Sequence, residues 1–282
     1  MAVSLESPIA NNAAIAFVGG GNMARSLIGA LTRHGSDPAR IAVAEPVDAL
    51  REQLHADFGV RVFSDAASAV QGADIVLLAV KPQVMRQVCE TIGAVIAARK
   101  PLIISIAAGL RMEQMDAWLG GGFPIVRTMP NTPALIGAGA TGMIANARVD
   151  AGGRGQAQAI LANAGRTAWI DEEAQMDAVT GVSGSGPAYF FLLIEALEDA
   201  GVEQGLPRDT ARQLAIQTCL GAARMASEDG EAPARLRERV TSPNGTTAAA
   251  LKVLGEGDLR GLMARAVAAA TQRGGEMSKE LG

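Results

Sequence analysis

Catalytic side chains are scarce in this chain of 282 residues, which holds two cysteines, two histidines and one tyrosine. Cys89 and Cys219 form no CxxC pair, have no histidine near them in sequence, and each sits in an apolar helical pattern. That context excludes a zinc or disulfide framework and reads as two small buried hydrophobes, so no metal site is expected. His34 and His55 fall in polar stretches near predicted helix ends and read as surface residues. Charge of one sign is missing as well: 25 Lys and Arg stand against 29 Asp and Glu. Without a basic surplus, nucleic acid is not an expected partner. The longest nearly uninterrupted apolar run, 188–194, falls far short of the ~20 residues that cross a bilayer, so no membrane partner is expected. The opening "MAVSLESPIANN" has no basic start followed by an apolar run. It reads as a short disordered lead-in rather than a secretory signal, which makes the expected location cytoplasmic.

What the chain does have is apolar bulk, 49% of its residues, and a length beyond the roughly 100–200 residues of one domain. Two domains are expected. Short β-branched or apolar runs at 14–18, 41–44, 60–63, 74–80, 102–106, 125–128 and 141–145 alternate with helical patterns, and "TAWI" at 167–170 is the last strand signal. This rhythm predicts βαβ units and a mostly parallel sheet with both faces covered. From about Asp171 the pattern turns helical, punctuated by Gly186-Pro187, Gly205-Leu206-Pro207 and Pro233. The expected division is therefore 1–170, an α/β domain, and 171–282, an all-α domain. Within the latter, 188–200 is apolar on nearly every face, which a surface helix does not tolerate in water, so a second copy of the chain is expected to cover it.

Directly after the first strand stands "GGGNMA", in which Gly19-x-Gly21-x-x-Ala24 opens a helix. That is the setting a dinucleotide-binding turn requires. Gly19 permits the tight turn, Gly21 lets backbone approach a pyrophosphate, Asn22 and Met23 carry it into the helix, and small Ala24 fits where helix meets strand. Free amides at the helix start then face phosphate oxygens. The first domain is thus predicted to be a Rossmann-like doubly wound sheet binding NADPH or NADH. Glu45, at the end of the second strand, is positioned to accept from a ribose 2′-hydroxyl and so to favour NADH. Strand carboxyl ends border ligands in such sheets, which adds Ala79, Val80, Lys81 and Pro82 from "AVKP", Ala107 and Gly109 from "SIAAGL", and Asn131 from "MPNTP". Lys81 reads as a charge near ribose or phosphate.

A dinucleotide domain followed by a helical one also describes the β-hydroxyacid dehydrogenases, which carry GxxGxGxxxKxxxN at the start of the helical part. Gly181, Gly184 and Gly186 fall in that register here, but Phe190 stands at the lysine position and Ile194 at the asparagine position. The alcohol-oxidising group is missing, which leaves that reading, and that of an idle dinucleotide-binding protein, as the lesser alternatives. In order, "GGGNMA", "AVKP", "SIAAG", "MPNTP", "GSGPAYFFLLIEALEDAGVEQGLPR" and "TSPNGTT" instead resemble the pyrroline-5-carboxylate reductases over nearly the whole chain. That resemblance implies reduction of the C=N bond of (S)-1-pyrroline-5-carboxylate to L-proline by NAD(P)H, the last step of proline biosynthesis. It also implies homodimers that assemble further into pentamers of dimers.

The substrate so implied is a small ring with one carboxylate and one imine. Once protonated, the imine accepts hydride without a strong enzymic acid, and what the site must supply is orientation. The stretch "SPNGTT" suits that role, since Pro243 and Gly245 bend the chain, and Thr246 or Thr247 is expected to cap a helix beginning near Ala248. The amides of Gly245 and Thr246 with the Ser242 hydroxyl are expected to hold the carboxylate, facing the nicotinamide across the inter-domain cleft. By the resemblance, Thr247 hydrogen-bonds the ring nitrogen and is the candidate for assisting its protonation.

Overall fold

The computed structural model describes residues 13–280, so the lead-in expected at 1–12 lies outside the described residues. Eight strands form one sheet in the order β3-β2-β1-β4-β5-β6-β7-β8. They are β1 (Ile15–Val18), β2 (Ile41–Ala44), β3 (Arg61–Phe63), β4 (Ile75–Leu78), β5 (Leu102–Ser105), β6 (Ile125–Met129), β7 (Gly139–Ala145) and β8 (Gly165–Trp169). All four residues are buried in each of β1 ("IAFV"), β2 ("IAVA"), β4 ("IVLL") and β5 ("LIIS"), as a strand covered on both faces demands.

Alternate residues feed two separate cores. Ala16, Val18, Val76 and Leu78 face α4 (Pro82–Ile96) and α5 (Met112–Trp118), which contribute Met85, Ile92 and Met115. On the other side Ile15, Phe17, Ile75 and Leu77 meet α1 (Asn22–Arg33) and α6 (Ala151–Ala162) through Leu27, Ile28, Ile160 and Leu161. All pairings are parallel except β6 with β7. The chain leaves β1 toward β2 on one side and returns to β4 on the other, so strand order reverses at β1. The resulting crevice lies past Val18 and Leu78, which are in register as neighbours.

Packing divides the chain into two compact units, one running to Ser185 and rejoined by the segment from Ala269, the other spanning Gly186 to Ala268. Short α7 (Gln175–Val179) and a π-turn, Thr180–Gly184, close the first unit. The second contains α8 (Gly186–Glu203), α9 (Arg208–Glu228), α10 (Pro233–Arg239) and α11 (Thr246–Glu256), together with the start of α12 (Leu259–Glu280).

Helices α8 and α9 form a hairpin in which a Cβ built on Gly201 would stand 3.1 Å from Ala211 Cβ. Ala211 and Ala215 are buried there. Glu198 is only 8% exposed and accepts from Arg212 Nε and Nη2 at 2.9 and 3.0 Å and from Arg208 Nη1 at 3.1 Å. No helix among the described residues is long and apolar enough to cross a membrane.

Candidate active site

In the first unit the expected nucleotide residues gather at the carboxyl ends of β1, β4 and β5. Gly19 has φ +102, a left-handed value that disfavours any side chain. A Cβ there would lie 2.7 Å from the Ala79 carbonyl oxygen, so the turn after β1 presses directly on the turn after β4. Hydrogen bonds stitch these turns together, Ala79 N–H to Val18 C=O at 2.8 Å and Ile106 N–H to Leu78 C=O at 3.1 Å.

Gly21 is the N-cap of α1; it is exposed, makes no side-chain cap bond, and a Cβ on it would meet nothing within 4 Å. Above the turn, then, lies open space bordered by the first amides of a twelve-residue helix with no acidic residue in its first turn. Those donors and the helix dipole suit a pyrophosphate, and the residues present fit a dinucleotide. Ala24, 1% exposed, fills the contact between α1 and the sheet, and Met23 packs against that same core.

Lys81 is exposed and serves as backbone N-cap to α4, with Pro82 as its first residue. It makes no ion pair among the described residues, leaving its ammonium available to an anionic ligand. Ala79 and Val80 are half-buried beside it. Ala107 is 5% exposed, its methyl enclosed in the core, so it meets a ligand only through its backbone. Gly109 takes φ +74 in the same turn.

Two of the expected coenzyme residues have side chains engaged within the protein. The Asn131 side chain is not free for a coenzyme: Nδ2 donates to Ser183 C=O at 3.0 Å and Oδ1 accepts from Ala140 N–H at 2.9 Å. It fastens the turn after β6 to β7 and to the π-turn. Glu45, read as facing a ribose, is 7% exposed, and both carboxylate oxygens are taken by backbone amides, Gly20 N–H to Oε2 and Val47 N–H to Oε1, each at 3.0 Å. Nothing in the sequence signals either engagement, because both depend on which turns the fold brings alongside.

In the second unit, residues 242–247 form the turn into α11. The helix begins at Thr246, two residues before the expected start, and its N-cap is Gly245 rather than a threonine. Asn244, with φ +60, takes the left-handed bend that Gly245 was expected to supply. Gly245 itself has φ −81. Its lack of a side chain matters for another reason: a Cβ would be 2.5 Å from Ser242 Oγ, so the hydroxyl rests against the glycine and any side chain would evict it.

The Gly245 amide is also spent, donating to Ser242 C=O at 3.1 Å. The free donors therefore start at Thr246 and run through Thr247 to Ala248, the amides a helix leaves without partners. No side chain caps them and no acidic residue occupies the first turn. Thr247 is half-buried, and among the described residues its hydroxyl has no partner. Uncapped amides, a serine hydroxyl and a threonine hydroxyl are donors of the kind that suit one carboxylate and one polar ring atom.

Residues 173–277 match the family model for pyrroline-5-carboxylate reductase dimerisation, and residues 14–109 match that for NADP oxidoreductase, coenzyme F420-dependent. The pyrroline-5-carboxylate reductase of Pseudomonas aeruginosa is 49% identical over 268 residues, which cover 95% of this chain and 98% of that protein. Among solved structures, a pyrroline-5-carboxylate reductase from Coxiella burnetii superposes with a TM-score of 0.92 at 42% identity, covering 94% of this chain and 98% of that one. Plasmodium falciparum pyrroline carboxylate reductase with NADP bound gives a TM-score of 0.82 at 29% identity, covering 95% and 99%.

Proposed function

The chain belongs to the pyrroline-5-carboxylate reductase family, and from that premise we propose how it works. It is an NAD(P)H-dependent oxidoreductase that reduces (S)-1-pyrroline-5-carboxylate to L-proline, the last step of proline biosynthesis. The observation that carries the reading is the mouth of α11, where uncapped amides follow a Gly245 against which the Ser242 hydroxyl rests.

In this reading the Thr246 and Thr247 amides with Ser242 Oγ grip the substrate carboxylate, Gly245 keeping that hydroxyl in place. No buried arginine is required, because helix-terminal donors and the dipole supply the positive potential. The Thr247 hydroxyl hydrogen-bonds the ring nitrogen and holds a proton at that atom. When bound, NAD(P)H would supply the hydride that reduces the C=N bond. Residues 19–24, with 79–82 and the turn at 107–109, hold the nucleotide. Orientation is the largest contribution, worth several kcal/mol and up to ~7–11 in the best intramolecular models.

The functional division runs 1–170 for the nucleotide and 171–282 for dimerisation and substrate. Exposed apolar side chains on the second unit, Phe190, Phe191, Leu192 and Leu193 among them, support a homodimer that buries them, with a pentamer of dimers as the larger assembly and the cytoplasm as its location. The test is oxidation of NADH and NADPH, followed at the reduced-nicotinamide absorbance, with pyrroline-5-carboxylate as substrate and 3-hydroxy acids with NAD or NADP as controls. Turnover is expected with the imine alone; activity confined to the hydroxy acids would overturn the assignment.

A further inference from the structure

Every hydrogen-bonding group of Glu45 is engaged inside the protein. Its N–H donates to Phe63 C=O at 2.9 Å, and its C=O accepts from Arg51 Nη1 at 2.7 Å. Its carboxylate spans the two turns that flank a dinucleotide: Oε2 takes the Gly20 N–H of the glycine turn, and Oε1 takes the Val47 N–H of the turn leading from β2 into α2 (Asp48–Phe58). The side chain is pressed beneath the glycine turn, since a Cβ on Gly20 would come within 3.2 Å of both Glu45 Cβ and Oε2. With 7% of its surface exposed, the side chain is held between the two turns by one amide on each oxygen.

We propose that Glu45 is a positioning residue: it locks the glycine turn to the β2–α2 turn so that the α1 amides are preset for the pyrophosphate, and it does not choose between NADH and NADPH. The inference rests on the coenzyme site described above. A carboxylate suits the post because it is acceptor-only, with two oxygens for two facing N–H groups. A charge-assisted bond to each is stronger than a neutral one. Glutamine has the same shape but carries an NH2 group where one oxygen must accept, so one buried amide donor loses its partner.

The experiment titrates the full-length wild type, Glu45→Gln and Glu45→Asp with NADH and with NADPH by nicotinamide fluorescence, alongside steady-state kinetics at saturating pyrroline-5-carboxylate. For Glu45→Gln the expected result is a rise in Kd of about 10- to 100-fold for both coenzymes, the cost of one bond to a charged group. The NADPH/NADH ratio should stay within about threefold of wild type, and so should kcat at saturating coenzyme. Glu45→Asp, which keeps the charge on a shorter arm, should recover part of the loss. If Glu45→Gln does not fold, Val47→Pro removes one of the two donors while leaving the carboxylate in place, and a parallel rise in both Kd values is expected there too.

A shift of the ratio toward NADPH by tenfold or more would mean that Glu45 reads the ribose, and would overturn the proposal. So would unchanged Kd values with a lowered Tm, the mark of a merely structural residue. Should the wild type bind neither coenzyme, the nucleotide site itself falls, an outcome distinct from either.

Discussion

Thr247 lies in the first turn of α11 with its hydroxyl uncommitted, and in the proposed mechanism its value is one hydrogen bond to a nitrogen that becomes charged. Such a bond is worth roughly 1.5–3 kcal/mol. Thr247→Ala should therefore lower kcat/KM for the imine by ~10- to 100-fold with the fold intact; wild-type kinetics in that variant would remove the hydroxyl from the mechanism. Gly19 makes a harsher case. A methyl there meets both a φ of +102 and the Ala79 carbonyl oxygen at 2.7 Å, so Gly19→Ala must displace backbone. Its Kd for NADH and NADPH should rise by at least about tenfold, with a lowered Tm, since a strained residue of this kind costs ~1–3 kcal/mol. At this scale residue type was legible and orientation was not. Glu45 and Asn131 stand at the strand ends where an acid and an amide are expected near a coenzyme, yet both spend their side chains on neighbouring backbone.

Elements were easier to read than their edges. The buried strands are short apolar runs bounded by polar residues, and "IAVA" occupies the expected 41–44. The start of α11 falls earlier than its turn residues suggest because Asn244 takes the left-handed bend, which closes the turn early and lets the helix begin at Thr246. Glu198 was also illegible as a structural acid. Only the antiparallel packing of α8 on α9 sets it against Arg212 and Arg208. The Arg212 hydrogen bonds, and then the one from Arg208, hold its carboxyl below the ordinary carboxylate range, against a burial effect of opposite sign. A lowered folded-state pKa contributes stability that is fully present above the unfolded value, about 4.3 for glutamate, and is lost as pH falls through the lowered one. Thermal melts between pH 7 and pH 3 should thus show wild type above Glu198→Gln at neutral pH and the gap closing below about pH 4.3. A gap that stays constant down to pH 3 would mean the fork adds no pH-dependent stability.

For the whole molecule, the question is what covers the second unit. Phe190, Phe191, Leu192 and Leu193 on α8, Leu214 and Leu220 on α9, and Val253 on α11 are between 49% and 68% exposed in the single chain. Burying one such side chain stabilises by roughly 1.5–3 kcal/mol, and patches of this kind mark interfaces. Phe191→Asp combined with Leu192→Asp should convert the protein from an oligomer to a monomer in sedimentation at micromolar concentration. An unchanged mass would show that α8 is not the contact.

The sequence by itself determined the alternating βα order, the helical character from Asp171 onward and the two turns on which the proposed site rests, because periodicity, glycine spacing and turn residues act within a few positions of one another. Which turns lie against each other was decided by the tertiary structure alone. The Glu45 carboxylate meets an amide 25 residues away, Asn131 one end of a π-turn 52 residues away, and α12 returns its last residues to the first unit. Contacts between distant segments arise from burying apolar faces together, and local pattern carries no record of them.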